Sequence, residues 1–288
     1  MKILVTGAGG FLGFHILKLF EKQKKNYQLF AQYNKKKPFG LKKTTKLIKT
    51  DLTKINFTDH YDLIIHCASK TPVNSQNDKI IYYENINSLK NILKKISFDK
   101  FVFMSSVSVY GSHRGIVLNE RTKFKPNDYY AKSKIKCEKL LEVFSKKKRK
   151  NIFVFRLPAA VGYKSHSNFI SNIMKAYKEN INNLISISNK EDLFNNTVHT
   201  KEIFNFIKKV VNKKTRFFYN VFVLGAKDAI SLINLISIYD KFFKKKIKFN
   251  FIENKNKNNL INISKAKKFG FKPIRTSSTI LNMLKDNS

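Results

Sequence analysis

Tyr130 and Lys134 can transfer a proton as a pair, because they lie four positions apart in a stretch whose pattern predicts a helix. Residues at i and i+4 share one helix face, so the phenol and the ammonium group are neighbours. A phenol has a pKa near ~10, and an adjacent positive charge favours its ionised form. An isolated Tyr-x-x-x-Lys in a lysine-rich chain is more often a solvated helix face. The residues around the pair therefore decide its interpretation.

Hydroxyl side chains precede this pair in the sequence. The apolar segment Phe101–Met104 predicts a buried strand, and Ser105 and Ser106 follow it directly. A serine hydroxyl at the carboxyl end of a parallel strand can hydrogen-bond a substrate oxygen beside the phenol. Ser106 is the candidate for that position. The alternative is that Ser106 is an ordinary strand-end hydroxyl and Tyr130 a packed aromatic side chain.

Glycines spaced three residues apart lie near the start of the chain. Gly7, Gly10 and Gly13 follow the apolar run Ile3–Val5 and lead into an amphipathic helical pattern. This order leaves backbone N–H groups and the positive end of a helix dipole facing one small volume. Gly7 can make the tight turn, Gly10 lets phosphates approach the backbone, and Gly13 allows close packing of helix on strand. The sequence therefore predicts a dinucleotide-binding turn, with an ordinary strand-to-helix turn as the alternative.

Alternating strand and helix patterns position these groups. The predicted strands are Ile3–Val5, Gln28–Gln32, Lys46–Ile48, Leu63–His66, Phe101–Met104 and Ile152–Phe155. Helical patterns separate them, notably over 80–95 and 129–144. Such alternation predicts an α/β fold with a Rossmann-type, doubly wound parallel sheet. In such a sheet, ligands bind beyond the carboxyl ends of the strands, where every motif above is found.

The pattern becomes less regular after Gly162. The sequence predicts helices over 169–177, 200–211, 231–243 and 264–269, a strand over 217–224 and a loop over 254–259. We expect a dinucleotide-binding domain of residues 1–162, to which 196–216 returns. We expect a smaller C-terminal α/β lobe for substrate made of 163–195 and 217–288.

The composition narrows the class of protein. A formal net charge of +38 over 288 residues favours a polyanionic partner when taken alone. Only six of the 57 basic residues are arginine, which supplies most bidentate contacts with bases and phosphates. Lysine, Asn, Ile and Phe share A/T-rich codons. We therefore interpret the charge as compositional bias over a solvated surface, and we expect no nucleic-acid partner.

Cysteine content and hydropathy indicate the compartment. Cys67 and Cys137 are too few for a disulfide framework and lack metal-ligand spacing, so we expect no metal site and a reducing cytoplasm. No apolar run approaches the roughly 18 residues that a membrane span requires. The apolar segment at the N-terminus is short and belongs to the glycine motif, which does not fit a signal peptide. These observations predict a cytoplasmic protein without membrane contact.

Together, these motifs resemble those of the extended short-chain dehydrogenase/reductase family, which includes nucleotide-sugar epimerases, dehydratases and reductases. The resemblance covers nearly the whole chain, and Tyr130, Lys134 and Ser106 fall on the family's active-site positions. The segment 6–13 matches its cofactor motif. The cofactor-binding residues that the resemblance implies are Gly7, Gly10, Phe11, Leu12, Gly13, Asp51, Leu52, Cys67, Ala68, Ser69, Tyr130 and Lys134. Arg156 and Val198-His199 match further landmarks.

The resemblance also assigns roles to these residues. It implies that Tyr130 is the general acid/base, that Ser106 polarises the substrate oxygen, and that Asp51 faces the adenine. Lys134 lowers the phenol pKa and holds the nicotinamide ribose. The implied function is an NAD(P)-dependent oxidoreductase or epimerase acting on a secondary alcohol or ketone of a sugar, which we expect to be nucleotide-linked. A 4-keto-sugar reductase and a 4-epimerase both fit, and the family often forms homodimers through a four-helix contact.

Departures from the family's pattern refine these expectations. NAD-preferring sites usually have a carboxylate at the end of the second strand, whereas no Asp or Glu occurs between Glu21 and Asp51. Lysines 35–37 occupy that region and can meet a 2′-phosphate, so we expect NADP(H) rather than NAD. Val107 and Ser108 stand where the dehydratases have an acidic pair. This favours epimerisation or carbonyl reduction over elimination of water.

One further departure bears on the substrate. Asn195 stands where the family has an arginine that contacts the nucleotide diphosphate, which weakens the indication of a nucleotide-sugar substrate. The alternative from a different class is a non-catalytic protein that keeps the fold and senses NAD(P) or associates with RNA. The basic charge favours this alternative. The intact set of Ser106, Tyr130 and Lys134 opposes it, because a sensor has no use for a proton-transfer pair.

Overall fold

The chain divides into two compact units that interleave in the sequence. In the computed structural model, residues 1–25, 27–72, 78–187, 189–251 and 257–288 are described. Unit 1 comprises 1–112, 123–156 and 204–222, and unit 2 comprises 113–122, 157–203 and 223–288. The loop predicted over 254–259 lies in part outside the described residues. The assignment of these parts to cofactor and substrate stays a prediction.

A seven-stranded sheet forms the centre of unit 1. Its strands are β1 (Lys2–Thr6), β2 (Gln28–Tyr33), β3 (Lys46–Lys49), β4 (Asp59–His66), β5 (Ile96–Ser106), β6 (Asn151–Leu157) and β7 (Tyr219–Val223). They lie in the order β7-β6-β5-β4-β1-β2-β3, and β3, β2, β1, β4 and β5 pair in parallel. The predicted doubly wound α/β fold is confirmed. Apolar runs such as Ile3–Val5 form these strands because both faces of a parallel sheet are buried.

Helices pack on the sheet of unit 1 and form much of unit 2. They are α1 (Phe11–Glu21), α2 (Lys79–Lys95), α3 (Tyr129–Lys148), α4 (Phe169–Glu179), α5 (Thr200–Val211), α6 (Leu232–Phe243), α7 (Ser264–Lys268) and α8 (Thr276–Asp286). One buried cluster of unit 1 joins the sheet to the apolar faces of α2 and α3, with Leu4, Ile64, Leu89 and Leu141 each fully buried. This packing fixes which residues of α3 face the sheet.

The strand order reverses between β1 and β4. The chain runs outward from β1 through β2 and β3, and then crosses to the other side of β1 to form β4. Thr6 and His66, at the carboxyl ends of these two strands, are register partners. A crevice beyond this point is where open α/β sheets bind ligands. The fold therefore places the glycine turn at the expected binding edge.

Unit 2 has its own apolar core and short strand pairs. Residues 159–161 pair in parallel with 197–199, and 117–118 with 260–261. Its core includes Ile173 of α4, Leu235 of α6 and Met283 of α8, each fully buried. The sequence pattern indicates no helix over α8, because Thr276-Ser277-Ser278-Thr279 opens it with residues of low helix propensity. Burial of its apolar face stabilises this helix instead.

Membrane-spanning helices are not found in the described part of the chain: no helix there combines the length and apolar character that crossing a bilayer requires. The longest helix, α3, shows why, because its exposed positions include Lys132, Lys136 and Lys139.

Candidate active site

The glycine turn connects β1 to α1 and requires glycine at position 7. Gly7 has a φ of +68°, which residues with a Cβ rarely adopt. A Cβ there would come within 2.7 Å of the backbone of Ala68. The N–H of Gly7 donates to Gln32 Oε1 at 3.0 Å, and its carbonyl accepts from the N–H of Gly10 at 2.9 Å. The turn is thus fixed to both β2 and the segment after β4.

Gly13 and Gly10 have different surroundings. A Cβ on Gly13 would lie 2.4 Å from the Gly7 carbonyl oxygen, so only glycine lets α1 pack on the turn. A Cβ on Gly10 would meet only that same oxygen, at 3.3 Å, and otherwise open space. Gly10 caps α1 without a side-chain hydrogen bond, and the first turn, which contains Phe11 and Leu12, has no acidic residue. This helix end fits a pyrophosphate.

Gly9 was missed by the sequence analysis. A Cβ there would lie 1.9 Å from the backbone carbonyl oxygen of Lys36, so the loop after β2 runs directly against the glycine turn. No local pattern reveals this contact, because it depends on how a distant loop folds back. The contact places the exposed lysines 35–37 beside the turn.

Asp51 and Leu52 lie after β3, where the resemblance implies the adenine. The Asp51 carboxylate accepts hydrogen bonds from the N–H and the hydroxyl of Thr53, both at 2.8 Å. These bonds hold the pKa of Asp51 below its usual range. The Asn34 side chain, just after β2, also acts to lower the pKa of Asp51, while Leu52 is buried. Asp51 therefore remains an anion that organises the loops around this region.

The residues after β4 border the glycine turn. Thr6 Oγ1 lies 2.8 Å from His66 Nδ1 and also accepts from the N–H of Ala68 at 3.3 Å. Burial and the charge of Lys134 lower the pKa of His66 to about 3, so the imidazole is neutral. Burial raises the pKa of Cys67 to about 12, so it remains a thiol. Cys67, Ala68 and Ser69 thus present small, uncharged groups beside the turn.

Ser106, Tyr130 and Lys134 come together at the carboxyl end of β5. The Asp128 carboxylate caps α3 by accepting the N–H of Ala131 at 2.6 Å, which puts Tyr130 in the first turn of the helix. The Ser106 side chain acts on the Tyr130 phenol by lowering its pKa, so the two groups are neighbours. Ser106 Oγ accepts the N–H of Ser108 at 3.1 Å, which fixes its orientation.

Lys134 lies against the same group. Its Nζ donates to the carbonyl of Met104 at 2.8 Å and lies 5.5 Å from the ring centroid of Tyr130. Burial raises the pKa of Tyr130 to about 12, although the Ser106 side chain acts to lower it. Tyr130 therefore holds a proton that it can donate at neutral pH. The lowering of this pKa by Lys134 stays a prediction.

We expect activity to fall as the pH rises through about 8. Burial lowers the pKa of Lys134 to about 8, so its ammonium group loses its charge above that pH, while Tyr130 is still protonated. The electrostatic support for phenolate formation and ribose binding then disappears. The pH dependence of kcat measures this decrease, which is the alkaline limb of the pH profile. A kcat that stays constant from pH 7 to pH 10 would contradict the assignment.

Asn85, on α2, was also missed as a supporting residue. Its Nδ2 donates to Ser133 Oγ at 3.0 Å, and Ser133 Oγ donates to the backbone carbonyl of Tyr130 at 2.7 Å. Asn85 also bonds the backbone N–H of Lys70 at 2.7 Å. The residue is nearly fully buried on an otherwise apolar helix face. It therefore connects α2 to the first turn of α3 and steadies Tyr130.

Both polar atoms of the Asn195 side chain, in unit 2, are hydrogen-bonded to the backbone of Ile261. Its Nδ2 donates to the carbonyl of Ile261 at 2.9 Å, and its Oδ1 accepts the N–H of Ile261 at 2.9 Å. Asn195 is buried. Its side chain bonds both the N–H and the carbonyl of Ile261, as the backbone of a neighbouring strand would. The family's arginine thus has no functional equivalent at this position. Val107 and Ser108, after β5, likewise provide neither the acid nor the base of a dehydratase.

The reversing sheet, the glycine turn at its switch point and the Ser106–Tyr130–Lys134 group define a protein of the short-chain dehydrogenase/reductase type. The family model described as "NAD dependent epimerase/dehydratase family" matches residues 3–221. The chain belongs to this family. The predictions of an extended short-chain dehydrogenase/reductase and of an NAD(P)-dependent enzyme are therefore confirmed.

Individual relatives support the same family at low identity. An uncharacterized protein of Methanocaldococcus jannaschii is 25% identical and covers 94% of this chain and 91% of its own length. The uncharacterized UDP-glucose epimerase YtcB of Bacillus subtilis is 32% identical over 50% of this chain and 52% of its own length. The structure of UDP-glucuronic acid 4-epimerase from Bacillus cereus, in complex with UDP-glucuronic acid and NAD, is similar at a TM-score of 0.82. That pair is 21% identical, with 99% of this chain and 98% of the other covered.

Proposed function

We propose that the protein transfers hydride to or from a secondary alcohol or ketone carbon of a nucleotide-linked sugar, as a 4-keto-sugar reductase or a 4-epimerase. The observation that carries this proposal is the grouping of Ser106, Tyr130 and Lys134 at the carboxyl end of β5, where Lys134 lies against the Tyr130 ring and Ser106 acts on its phenol. The charge of Lys134 acts on His66, and His66 contacts Thr6, next to the glycine turn. The proton-transfer group and the cofactor turn thus border one site.

Each side chain then has a defined task. A bound nicotinamide cofactor supplies or accepts the hydride. Tyr130 donates a proton to the substrate oxygen when the carbonyl is reduced and takes it back in the reverse direction. Ser106 donates a hydrogen bond to the same oxygen, and Lys134 holds the ribose. The helix end of α1 binds the pyrophosphate, Asp51 and Leu52 border the adenine, and Cys67, Ala68 and Ser69 border the nicotinamide.

Two kinds of observation support a nucleotide-linked sugar as the substrate. One relative is named as a UDP-glucose epimerase, and one solved neighbour is in complex with UDP-glucuronic acid. In this chain, Val107 and Ser108 replace the acidic pair of the dehydratases, which leaves redox chemistry at a carbinol carbon as the reaction that the residues support. Product analysis after incubation with 4-keto-hexose nucleotides and reduced cofactor tests the proposal. We expect one 4-hydroxy sugar to form for each reduced cofactor that is oxidised. If no product forms from any member of a panel of UDP- and dTDP-linked 4-keto-hexoses, the proposal is contradicted.

We propose NADP(H) as the preferred cofactor. Lysines 35–37 are exposed beside the glycine turn, and the backbone of Lys36 touches Gly9. Positive charge at this position favours a 2′-phosphate, whereas a carboxylate that would bind the ribose hydroxyls is absent from residues 22–50. This cofactor preference favours a reductase over an epimerase. A reductase releases its oxidised cofactor and binds a new reduced one in each turnover, whereas an epimerase must retain its cofactor.

Replacing lysines 35–37 by glutamine is expected to lower kcat/KM for NADPH by about 10-fold and to leave that for NADH within about 2-fold, because only the phosphate contact is lost. Steady-state kinetics with both cofactors measure this effect. The matched control is the same triple replacement at lysines 146–148, which are exposed at the end of α3. A wild-type protein that prefers NADH, or a variant that loses both cofactors equally, would contradict the proposal.

The oligomeric state, the cellular location and the lack of a nucleic-acid partner stay predictions. The family's frequent homodimer is the state that we propose, and sedimentation velocity tests it. A cytoplasmic location and the lack of a nucleic-acid partner follow from the composition alone. Steeply salt-dependent RNA binding without turnover would favour the non-catalytic alternative.

A further inference from the structure

Arg156 on β6 and Glu138 on α3 form an ion pair in the interior of unit 1, and each is only 3% exposed. Arg156 Nε donates to both carboxylate oxygens, at 3.1 and 3.2 Å, and a terminal nitrogen donates to Oε2 at 2.7 Å. A buried ion pair adds little net stability, since the cost of desolvation offsets the attraction. The role of this ion pair therefore depends on the neighbouring groups that it holds in place.

The pair holds both ends of the segment that orients Ser106. Glu138 Oε1 accepts the hydroxyl of Ser105 at 2.5 Å, and Ser105 immediately precedes Ser106. Arg156 Nη1 donates to the Tyr110 hydroxyl at 2.7 Å, and Tyr110 ends the short helical turn that Ser106 caps. Neighbouring side chains of a strand point to opposite faces, so fixing Ser105 on one face fixes the direction of Ser106 on the other.

The pair also connects this segment to the helix that carries the phenol. Glu138 is eight residues after Tyr130 and four after Lys134, on the same helix α3. Tyr219 on β7 donates its hydroxyl to the backbone carbonyl of Glu138 at 3.1 Å, which holds the helix in place from the far side. The ion pair thus sets the spacing between the carboxyl end of β5 and α3.

We propose that Glu138 and Arg156 are positioning residues, which keep the side chains of Ser106 and Tyr130 adjacent by tying α3 to the carboxyl end of β5. This inference rests on the proposed function, because the geometry that it protects is the proton-transfer group. The effect of the ion pair passes through Ser105 and Tyr110 on one side and through the helix on the other.

The charge of Glu138 also bears on Lys134. Burial lowers the pKa of Lys134, and Cys137, Cys67 and Glu138 act to raise it. Both thiols have a pKa of about 12, so they are uncharged at neutral pH. The groups that face Lys134 are Tyr130, Cys137 and Glu138 on α3, His66 and Cys67 at the end of β4, and Phe103 and the Met104 carbonyl on β5.

The test removes the hydrogen bonds that join the ion pair to Ser105 and Tyr110, while the two buried charges stay paired with each other. The double variant Ser105→Ala with Tyr110→Phe removes the two hydroxyls and leaves Arg156 bonded to Glu138. The matched control is Ser145→Ala with Tyr239→Phe, which removes two buried hydroxyls that bond backbone carbonyls elsewhere, those of Lys150 and Ile170. Comparable melting temperatures for the two double variants show that their stability losses are matched.

The Ser105/Tyr110 variant is expected to lower kcat by about 30-fold and to leave the KM for the cofactor within about 2-fold, because the reacting groups are misplaced while the glycine turn is intact. The control variant retains wild-type kcat. A Glu138→Gln variant moves the alkaline limb of the pH profile to lower pH, whereas the Ser105/Tyr110 variant leaves that limb in place. Equal kcat values for the Ser105/Tyr110 variant and its control would overturn the inference.

A crystal structure of the Ser105/Tyr110 variant gives a readout that does not depend on activity. We expect the distance between Ser106 Oγ and the Tyr130 hydroxyl to be longer by about 1 Å than in the wild-type protein and unchanged in the control variant. An unchanged distance in the Ser105/Tyr110 variant would overturn the positioning role. A wild-type protein without turnover on any sugar nucleotide, together with a longer distance in the variant, would instead overturn the proposed function alone.

Discussion

Tyr130→Phe is expected to lower kcat by about 1,000-fold, because a positioned proton donor contributes on this scale. The substitution removes only the hydroxyl on which Ser106 acts, and the ring still packs against Lys134. Steady-state turnover of a 4-keto-hexose nucleotide measures kcat, and fluorescence titration measures the Kd of the cofactor. We expect this Kd to stay within about 3-fold of the wild-type value, since the pyrophosphate contacts are unaffected.

The control for this variant is Tyr83→Phe. Tyr83 lies on α2 with about half of its surface exposed, at 49%, so loss of its hydroxyl leaves turnover unchanged. Ser106→Ala is expected to lower kcat by about 100-fold, and combining it with Tyr130→Phe adds little, because the two hydroxyls act as a unit. If Tyr130→Phe retains most of the wild-type activity, Tyr130 is not the acid.

Gly10→Ala is expected to weaken cofactor binding by about 100-fold, since two charge-assisted hydrogen bonds of the helix end are lost. The φ of Gly10, −90°, suits alanine, and the new Cβ meets only the Gly7 carbonyl oxygen at 3.3 Å. The turn therefore survives, but the methyl group occupies the side from which the phosphates approach. Isothermal titration calorimetry measures the affinity.

Gly13→Ala provides the contrast. Its Cβ would lie 2.4 Å from the same carbonyl oxygen, so that variant is expected to lose folding stability as well as binding. Gly10→Ala is expected to lose only about 1 kcal/mol of stability, because alanine is a poorer N-cap than glycine. Wild-type cofactor affinity in the Gly10→Ala variant would show that this turn is not the pyrophosphate site.

Local patterns explain which parts of the fold could be predicted from the sequence. The glycine turn and the predicted strand and helix segments are apparent because their signals lie within a few residues of one another. Strand β5 is longer than predicted, beginning at Ile96 directly after α2, since the alternation of Ser97 and Asp99 with apolar residues is a weaker signal than the run from Phe101. Helix α8 escaped prediction because packing, not propensity, stabilises it.

Long-range contacts explain what could not be predicted. Asn85 and Gly9 gain their roles from segments that are distant in sequence, and nothing in their own neighbourhood indicates these contacts. The pKa of Lys134, lowered to about 8, depends on complete burial, which the spacing of Tyr130 and Lys134 does not reveal. The pair Arg156 and Glu138 appears in the sequence only as two separate charged residues. Burial and tertiary contacts, rather than residue type, thus determine the finer chemistry of this site.

The most direct test of the central claim follows the hydride and the proton in one turnover. The protein is mixed rapidly with a 4-keto-hexose nucleotide and a reduced cofactor that is deuterated at its transferable position. We predict that deuterium appears on C4 of the sugar, at a rate that Tyr130→Phe lowers by about 1,000-fold and Tyr83→Phe leaves unchanged. A product without deuterium, or equal rates for Tyr130→Phe and the wild-type protein, would contradict the account.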